Sequence, residues 1–400
     1  MVQIRKIQKR DYEKAAYIKS ISFYADEKLS ESAENVVQSF KEMEKIKDCD
    51  IFVCEYEGDI AGLITVNKFS MNFYGKSTDI YALSGVSVDT AYRGRGVGDE
   101  LIRFFLDYAK EQDAAMVMLY PFRPSFYKKY GFGWGIEKYE YTINTKDLKF
   151  FENKNIIPFA KGSVDHVRNI QNEYAKTRHG MCLMNDYEWH NFKNDVSDDD
   201  IILIKDDEGK YIGYSIIEFE KDTRYNPYDQ TIVVQRLISL TPDANKWFLS
   251  YLHCLKDQFQ TAKIYTYDKY FYYNLNNAGS IYDAVIHSGY HHNCRCGLGI
   301  MYKAINAQNL LDMIDNKDMK TGYCFIIWDK YNNSNTKAYI GSEENYLEIN
   351  INIEDFTSFI MGCIPAEKLY ACGLIKCEEN TAAEIDTIFK LKQPICISTF

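Results

Sequence analysis

The sequence predicts a mixed α/β protein with two successive α/β blocks and a final α+β block. Its 400 residues exceed what one hydrophobic core normally serves, so two or three domains are expected. Strand-like and helix-like periodicities alternate over residues 1–150 and repeat in similar order over residues 151–295. The pattern changes over residues 296–400, which predict a separate α+β domain.

The first block is predicted to have a partly antiparallel sheet. The turn "YEGDI" joins two alternating apolar segments as a hairpin, unlike the all-parallel sheet of a dinucleotide-binding domain. The predicted strands and helices are, in chain order, "IRKI", "DYEKAAYIKSISF", "SAENVVQSFKEMEK", "DIFVCEYEGDIAGLITVNKF", "IYALSGVSV", "VGDELIRFFLDYAKEQ" and "AAMVMLY".

The second block repeats this order and so indicates an internal duplication. Its predicted elements are a helix at "DHVRNIQNEYAKTR", a hairpin at "DIILIKDDEGKYIGYSIIEFE", a strand at "TIVVQRLISL", a helix at "NKWFLSYLHCLKDQ" and a strand at "AKIYTYD". The third block predicts helices at "NAQNLLDMID", "DFTSFIMGC", "PAEKLYACG" and "NTAAEIDTIFKL" around the strands "GYCFIIWDK" and "YLEININ".

Charge and cysteine content narrow the class of protein. The net charge of −10 argues against a polyanionic partner such as nucleic acid and suits a cationic substrate better. Eleven cysteines, an odd number without a disulfide spacing, indicate a reduced protein. The beginning "MVQIRKIQKRDYEK" lacks the apolar core of a signal peptide, and no later run is long enough to cross a bilayer. We therefore expect a cytoplasmic protein with no membrane partner.

A glycine-rich loop between a predicted strand and helix carries the strongest motif. A glycine turn that leads into a helix directs backbone N–H groups outward at the positive end of the helix dipole, where phosphate groups are stabilised. The loop lacks the Lys-Ser/Thr end of a P-loop, and no acidic residue closes a parallel βαβ unit after it. An exposed glycine turn with solvated arginines is the plain alternative. The candidate phosphate-binding residues are Arg93, Gly94, Arg95, Gly96, Val97 and Gly98.

In its context this loop resembles the acetyl-CoA pyrophosphate loop of the GNAT N-acetyltransferases. The pattern Arg-x-x-Gly-x-Gly follows the strand "SGVSVD" directly. The resemblance implies acetyl-CoA as the cosubstrate and a splayed strand whose free backbone groups hold the pantetheine arm. Val86 and Val88 take that position here, with the N–H of Val88 polarising the thioester carbonyl. The place of the loop in the second block is held by "DANKWFL", which has no glycine, so only the first block is expected to bind acetyl-CoA.

The segment "FYKKYGF" is similar to the helix and turn that close the GNAT fold. Its first tyrosine, Tyr127, falls where this superfamily often keeps a general acid, and Tyr130 is the second choice one helical turn later. A phenol of pKa about 10 suits the role because it shares a proton with a leaving thiolate of pKa about 8.5 without ionising at neutral pH.

The whole architecture resembles the Eis (enhanced intracellular survival) family of tandem GNAT units followed by a sterol-carrier-protein-like domain. The segments that carry the resemblance are the loop at 93–98, "FYKKYGF", "MCLMNDYEWHNF" and the tail "AAEIDTIFKLKQPICISTF". It implies acetylation of amines, including aminoglycosides, a hexameric assembly, and a terminal aromatic residue whose carboxylate lies in the active site. That residue is Phe400, for which the alternative is an inert, solvated chain end. An α-carboxyl of pKa about 3.5 is a weak base, so its role would be mainly electrostatic unless burial raised the pKa.

The acceptor site of a cationic amine should be acidic and aromatic. The segment "SFYADEKLSE" offers candidates after the first helix, although a charged surface turn is the alternative: Phe23, Tyr24, Asp26 and Glu27. Two departures from the family pattern, Thr399 in place of an acidic residue and Phe122 in place of a small polar one, bear on aminoglycoside activity more than on acetyl transfer.

No metal site is expected. The cluster "HSGYHHNCRCG" contains His287, His291, His292, Cys294 and Cys296, but Cys-x-Cys beside adjacent histidines is not a structural zinc spacing. It is interpreted as the last strand of the second block.

The sequence therefore predicts an N-acetyltransferase that acts on a cationic small molecule such as an aminoglycoside or polyamine by direct transfer. Two alternatives stay open: a transferase for protein or peptide amines, at lysine or the N-terminus, and a lipid-binding scaffold with a vestigial transferase. The acceptor, its regiospecificity and the oligomeric state are not fixed by the sequence.

Overall fold

The computed structural model describes residues 2–23, 29–152, 154–221, 230–279, 285–286, 290–315, 319, 321–390 and 392–400. Helices α1 to α11 span Tyr12–Ser22, Leu29–Met43, Val97–Glu111, Pro124–Lys128, Val164–Thr177, Asp186–Asp195, Pro242–Cys254, Ala307–Asp312, Ile353–Ile360, Ala366–Ala371 and Glu379–Phe389. Strands β1 to β10 span Val2–Lys6, Cys49–Tyr56, Asp59–Phe73, Lys76–Val88, Met116–Leu119, Gly133–Trp134, Glu137–Asn144, Ile156–Pro158, Ile201–Lys205 and Tyr211–Lys221. Strands β11 to β20 span Gln230–Ser239, Thr261–Thr266, Val285–Ile286, Tyr290–His291, Arg295–Leu298, Met301–Ala304, Gly322–Asp329, Ser334–Ile340, Tyr346–Asn352 and Ile375–Lys376.

These elements belong to two units. The first unit contains Met1–Ile136, Arg178–Glu188 and Ile300–Phe400, and the second contains Glu137–Thr177 and Trp189–Gly299. Each of the two α/β sheets mixes antiparallel pairs with one parallel pair, so the predicted mixed α/β class is confirmed. The block boundaries predicted at residues 150 and 295 stay predictions.

The main sheet of the first unit has the order β1-β2-β3-β4-β5-β16-β6. The predicted hairpin is present, since Tyr56 pairs with Asp59 around a two-residue turn. Strand β5 runs parallel to β4, and helix α3 connects the two strands. The face of the sheet beside α3 buries Phe105, Ile64 and Val66, while α1 and α2 pack on the other face around Phe40 and Leu63.

The sixth strand of this sheet comes from a distant part of the chain. Strand β16 pairs with β5, with Met301 opposite Leu119, and also with β6. The first unit also contains a four-stranded sheet of order β18-β17-β19-β20. Beside it, four phenylalanine rings pack against one another with centroids 5.2 to 6.1 Å apart and form an aromatic core: Phe325, Phe356, Phe359 and Phe389.

The sheet of the second unit has the order β15-β7-β12-β11-β10-β9-β8. Strand β12 is parallel to β11, and helix α7 connects them, as α3 connects β4 and β5. Helix α7 begins directly after the Thr241 cap, where the first unit has its glycine loop. Strand β15, which contains Cys296, lies at the edge of this sheet.

Candidate active site

Strand β4 contains a β-bulge that opens one of its edges. Leu63 pairs with Ser87 and Thr65 pairs with Ser84, so Gly85 and Val86 together oppose one residue of β3. Gly85 has φ +60°, in the left-handed region that glycine enters without a steric penalty. A bulge with glycine in this conformation bends the strand and increases its twist.

The bulge coincides with the end of the neighbouring strand. Strand β5 accompanies β4 only from Ile80 opposite Met116 to Leu83 opposite Leu119. The residues from Ser84 to Val88 therefore continue beyond the last β5 partner. The edge of β4 is therefore open around Val86 and Val88, the residues for which the family resemblance implies a splayed strand.

The direction of the Val88 N–H group follows from the ladder. The N–H of Asp89 donates to the carbonyl of Ala61 at 2.9 Å, and Val88 is opposite Gly62. Because bonded and non-bonded pairs alternate along an antiparallel ladder, the Val88 N–H points away from β3. It faces the side on which β5 has ended, where an extended ligand would meet it.

The glycine loop lies between β4 and α3. Gly96 caps the helix with φ +82°, and the first intrahelical bond runs from the N–H of Glu100 to the carbonyl of Gly96 at 3.0 Å. The N–H groups of Val97, Gly98 and Asp99 precede that bond, so helix geometry leaves them for a ligand or water. An anion at this position is stabilised by the helix dipole.

Side chains around the loop hold it in place. The guanidinium carbon of Arg95 lies 5.5 Å from the ring centroid of Tyr92 and 5.9 Å from that of Tyr56. Lys14 pairs with Asp89 at 2.5 Å. Burial alone would raise the pKa of Asp89, but Lys14 and the N–H of Ala91 stabilise the carboxylate and keep its pKa below the usual value. Arg93 and Gly94 occupy the exposed part of the loop.

Tyr127 lies near the splayed strand. Its ring is 2% exposed and belongs to the apolar cluster that also contacts Val86 and Val88. Burial raises the pKa of Tyr127 to about 12. Within the described residues its hydroxyl has no hydrogen-bond partner, so the proton is available to a ligand. Phe122, which is 71% exposed, packs edge-on against this ring at 5.6 Å.

Tyr130 has a different partner. Its hydroxyl donates to Asp99, which also pairs with Lys129 at 2.6 Å. Burial and the Asp99 carboxylate raise the pKa of Tyr130. The contact joins α4, which carries Tyr127, to the first turn of α3. Tyr130 is therefore engaged in holding these two helices together.

The position of α4 is fixed from the opposite side by a buried ion pair. Lys303 Nζ lies 2.6 Å from Asp329 and donates to the carbonyl of Tyr130 at 2.7 Å. Lys303 is 3% exposed and Asp329 is 13% exposed. Burial lowers the pKa of Lys303 although Asp329 opposes the shift.

The C-terminal tail, residues 392–400, lies along a clamp segment, Arg178–Glu188. The N–H of Ile395 donates to the carbonyl of His179 at 2.9 Å. The N–H of Thr399 donates to Glu188 Oε1 at 3.2 Å. Two backbone N–H groups of the tail thus donate to this segment, one to a carbonyl and one to a carboxylate, and the segment contains most of the "MCLMNDYEWHNF" motif.

The tail brings Phe400 to the α1 face of the main sheet. Its ring centroid lies 5.1 Å from that of Tyr120, which follows β5 directly, and 5.7 Å from that of Phe69 on β3. The Tyr120 hydroxyl donates to the carbonyl of Ser398 at 3.0 Å. Phe400 is half-buried in this setting.

The predicted acceptor residues are only partly within the described chain. Phe23, at the end of α1, is 56% exposed. Tyr24, Asp26 and Glu27 lie outside the described residues, as does His287 of the histidine–cysteine cluster. In the parts of the chain that the structure describes, no group of three His, Cys, Asp or Glu residues could hold a metal ion. No helix there is long and apolar enough to cross a membrane.

Three residues of this region were not singled out from the sequence. Glu188 is fully buried, which is rare for a glutamate and points to a special role. The sequence does not reveal this burial. No sequence pattern distinguishes Tyr120 from the other tyrosines. Lys19 looks like a solvated helix residue, yet its side chain turns towards the bulge.

The comparisons with known proteins agree with this geometry. Residues 3–135 match the acetyltransferase (GNAT) domain family, and residues 328–397 match the sterol carrier protein domain family. No curated protein matches the chain in sequence.

Several solved structures share the fold over the whole length of both chains. They include a probable N-acyltransferase from Enterococcus faecalis V583 (16% identity, TM-score 0.75) and a GCN5-related N-acetyltransferase from Anabaena variabilis (16%, 0.76). Eis1 from Mycobacterium abscessus is 14% identical with a TM-score of 0.77. For each, 100% of this chain and 100% of that chain are covered. At these identities the likeness concerns the fold. The two domain matches identify an acetyltransferase (GNAT) domain followed by a C-terminal sterol carrier protein domain.

Proposed function

We propose that this enzyme transfers an acetyl group from acetyl-CoA directly to an amine of a cationic small molecule. The observation that carries the proposal is the meeting of two features on the first unit: the splayed strand β4, with its glycine loop, and the carboxylate-bearing residue Phe400 held beside β5. Acetyl-CoA supplies the activated thioester when bound.

The residues predicted to bind acetyl-CoA have the following roles in this proposal. The N–H groups of Val97 and Gly98, with Arg93 and Arg95, hold the pyrophosphate. The free edge at Val86 holds the pantetheine arm. The Val88 N–H donates to the thioester oxygen as negative charge develops there.

Tyr127 donates its hydroxyl proton to the leaving sulfur. With a pKa of about 12 the phenol stays protonated at neutral pH. The resulting tyrosinate is a stronger base than a thiolate of pKa about 8.5, and it takes up the proton that the amine nitrogen loses as the C–N bond forms, so the phenol is restored. The attacking amine is therefore the net source of the proton on the thiol. No covalent acetyl-enzyme is required for this transfer, and we expect sequential kinetics.

The carboxylate of Phe400 and that of Glu188 concentrate negative charge near the acceptor. Glu188 binds the N–H of Thr399, so it supplies a carboxylate beside the position where relatives have an acidic residue. This pair of acids suits a cationic amine by simple Coulomb attraction. The exposed ring of Phe122 narrows the range of aminoglycosides that we expect to fit. The aromatic core of the C-terminal domain argues against the lipid-scaffold alternative.

Membership of the Eis family and an internal duplication are part of the proposal. The second unit repeats the strand order of the first, and its β11 has an extra residue, Gln235, at the equivalent place. Acetyl-CoA binding by the first unit alone, a hexameric assembly and a cytoplasmic location are further expectations of the resemblance.

The test is CoA release from acetyl-CoA with aminoglycosides, polyamines and lysine peptides as acceptors, alongside calorimetric binding of acetyl-CoA. Intact protein is compared with protein lacking Phe400 and with protein carrying one extra glycine after Phe400. The extra glycine keeps the ring but moves the carboxylate. Both changed proteins should still bind acetyl-CoA, and their turnover should be at least about 100-fold lower than that of the intact protein. Full activity with the extra glycine would remove the carboxylate from the mechanism. Turnover of lysine peptides alone would favour the peptide-amine alternative.

A further inference from the structure

Lys19 lies where an acceptor amine would have to approach. It is on α1, and its Cε comes within 3.8 Å of the position that a Cβ would take on Gly85. Its Nζ lies 5.6 Å from the ring centroid of Phe40. The side chain therefore crosses the face of the sheet beside the bulge, next to the backbone groups proposed to hold the thioester.

Lys19 differs from an ordinary surface lysine in its ion pairing and in its pKa. Within the described residues no carboxylate pairs with it. Burial lowers the pKa of Lys19, although the Cys49 thiol opposes the shift slightly. A lysine with a lowered pKa has a larger fraction of neutral amine, which is the nucleophilic form.

Helix α1, which carries Lys19, and strand β3, which pairs with the bulged strand, contain polar atoms that no residue of the described chain satisfies. They are Ser20 Oγ, Thr65 Oγ1 and Asn67 Oδ1, and all three side chains are at least 97% buried. Thr65 Oγ1 lies 3.3 Å from the same Cβ position on Gly85. Buried polar atoms normally have partners, so this set indicates a place for a further polar group. The two hydroxyls could donate hydrogen bonds to the carbonyl of an amide, and the amide oxygen of Asn67 could accept its N–H.

We propose that Lys19 is itself an acetylation site and that the enzyme modifies it in cis from acetyl-CoA. This inference rests on the proposed binding of acetyl-CoA. The C–S bond of the thioester breaks, a C–N bond forms to Nζ, and one proton of the amine ends on the CoA sulfur. The product amide presents its N–H to Asn67 and its carbonyl to the hydroxyls of Thr65 and Ser20, and it carries no charge.

The experiment incubates the full-length protein with acetyl-CoA alone and maps acetylated lysines by mass spectrometry after digestion at glutamate. Lys14, on the same helix but paired with Asp89, is the internal control. We expect an occupancy at Lys19 at least ten times that at Lys14, and no such excess in protein unfolded in urea. A Lys19→Arg variant should lose the modification.

Binding of acetyl-CoA is measured on the same samples by calorimetry. If acetyl-CoA binds and Lys19 stays unmodified, the inference is wrong and the proposed function stands. Equal modification of Lys19 and Lys14, or of folded and unfolded protein, would show chemical acetylation by acetyl-CoA and would also overturn it. If acetyl-CoA does not bind, both proposals fail together.

Discussion

Acid should loosen the C-terminal tail through one buried histidine. The backbone N–H of Tyr74 donates to His179 Nδ1 at 3.1 Å, and His179 Nε2 donates to the carbonyl of Met361 at 3.1 Å. The backbone carbonyl of His179 accepts the N–H of Ile395 in the tail. Protonation at Nδ1 would set two donors against each other. Burial lowers the pKa of His179 from 6.5 to about 4, so the folded protein keeps this ring neutral.

The magnitude follows from the two pKa values. Because the folded pKa lies below the unfolded one, the opened chain takes up the proton first as the pH falls. The stabilisation is complete above pH 6.5 and is lost as the pH falls towards 4. The difference of about 2.5 units corresponds to about 3.4 kcal/mol in total. At pH 5 the loss is about 30-fold in the opening equilibrium, or about 2 kcal/mol.

Amide hydrogen exchange of peptides from residues 392–400 measures this opening. After correction for intrinsic exchange rates, protection in the natural protein should fall about 30-fold between pH 8 and pH 5. A His179→Gln variant keeps an acceptor and a donor but takes up no proton, so its protection should not change with pH. The same substitution at His166, which stacks on Tyr211 in the second unit, is the control. An equal pH dependence in the natural protein and His179→Gln would refute the argument.

Three further predictions concern the elements around the site. Tyr127→Phe should lower kcat by at least about 100-fold with little change in the melting temperature, whereas Tyr130→Phe should mainly lower the melting temperature. A large loss of kcat in Tyr130→Phe alone would assign the general-acid role to Tyr130. Lys303→Met leaves Asp329 buried without its cation and should lower the free energy of unfolding by about 3 kcal/mol in urea titrations, so a loss below 1 kcal/mol would contradict it. Gly85→Ala forces a side chain into positive φ against Thr65 and should lower both stability, by about 1–2 kcal/mol, and activity. The matched Gly58→Ala change, also at positive φ but with no atom within 4 Å, should cost stability alone.

Local patterns allowed the sequence to predict much of the first unit. The hairpin at Glu57–Gly58, helix α3 and the strand before the loop follow from period and turn chemistry, because these features depend on neighbours in the chain. The splay of β4 at Val86 and Val88 is consistent with the family resemblance. The bulge at Gly85 could not be placed from a single glycine in a strand.

Contacts between distant segments could not be predicted from the sequence. A strand pattern at residues 301–304 does not say which strand it pairs with, and its partner is β5. The ion pair of Lys303 with Asp329 and the bond from Thr399 to Glu188 depend on such pairings. Lys19 was overlooked for a related reason, since a lysine on an amphipathic helix is usually solvated and only the folded bulge reveals its neighbour.

The distant origin of β16 has a consequence for how the protein is made. Its pairing joins residues roughly 180 positions apart, so the catalytic sheet has a high contact order. At 5–20 residues per second, a ribosome needs about 10–40 s between completing β5 and completing β16. During that interval the apolar strand "MVML" has an open edge, and a released fragment would keep it. We therefore expect prematurely terminated chains to be inactive and prone to aggregate, so that acetyl-transfer activity marks a completed synthesis.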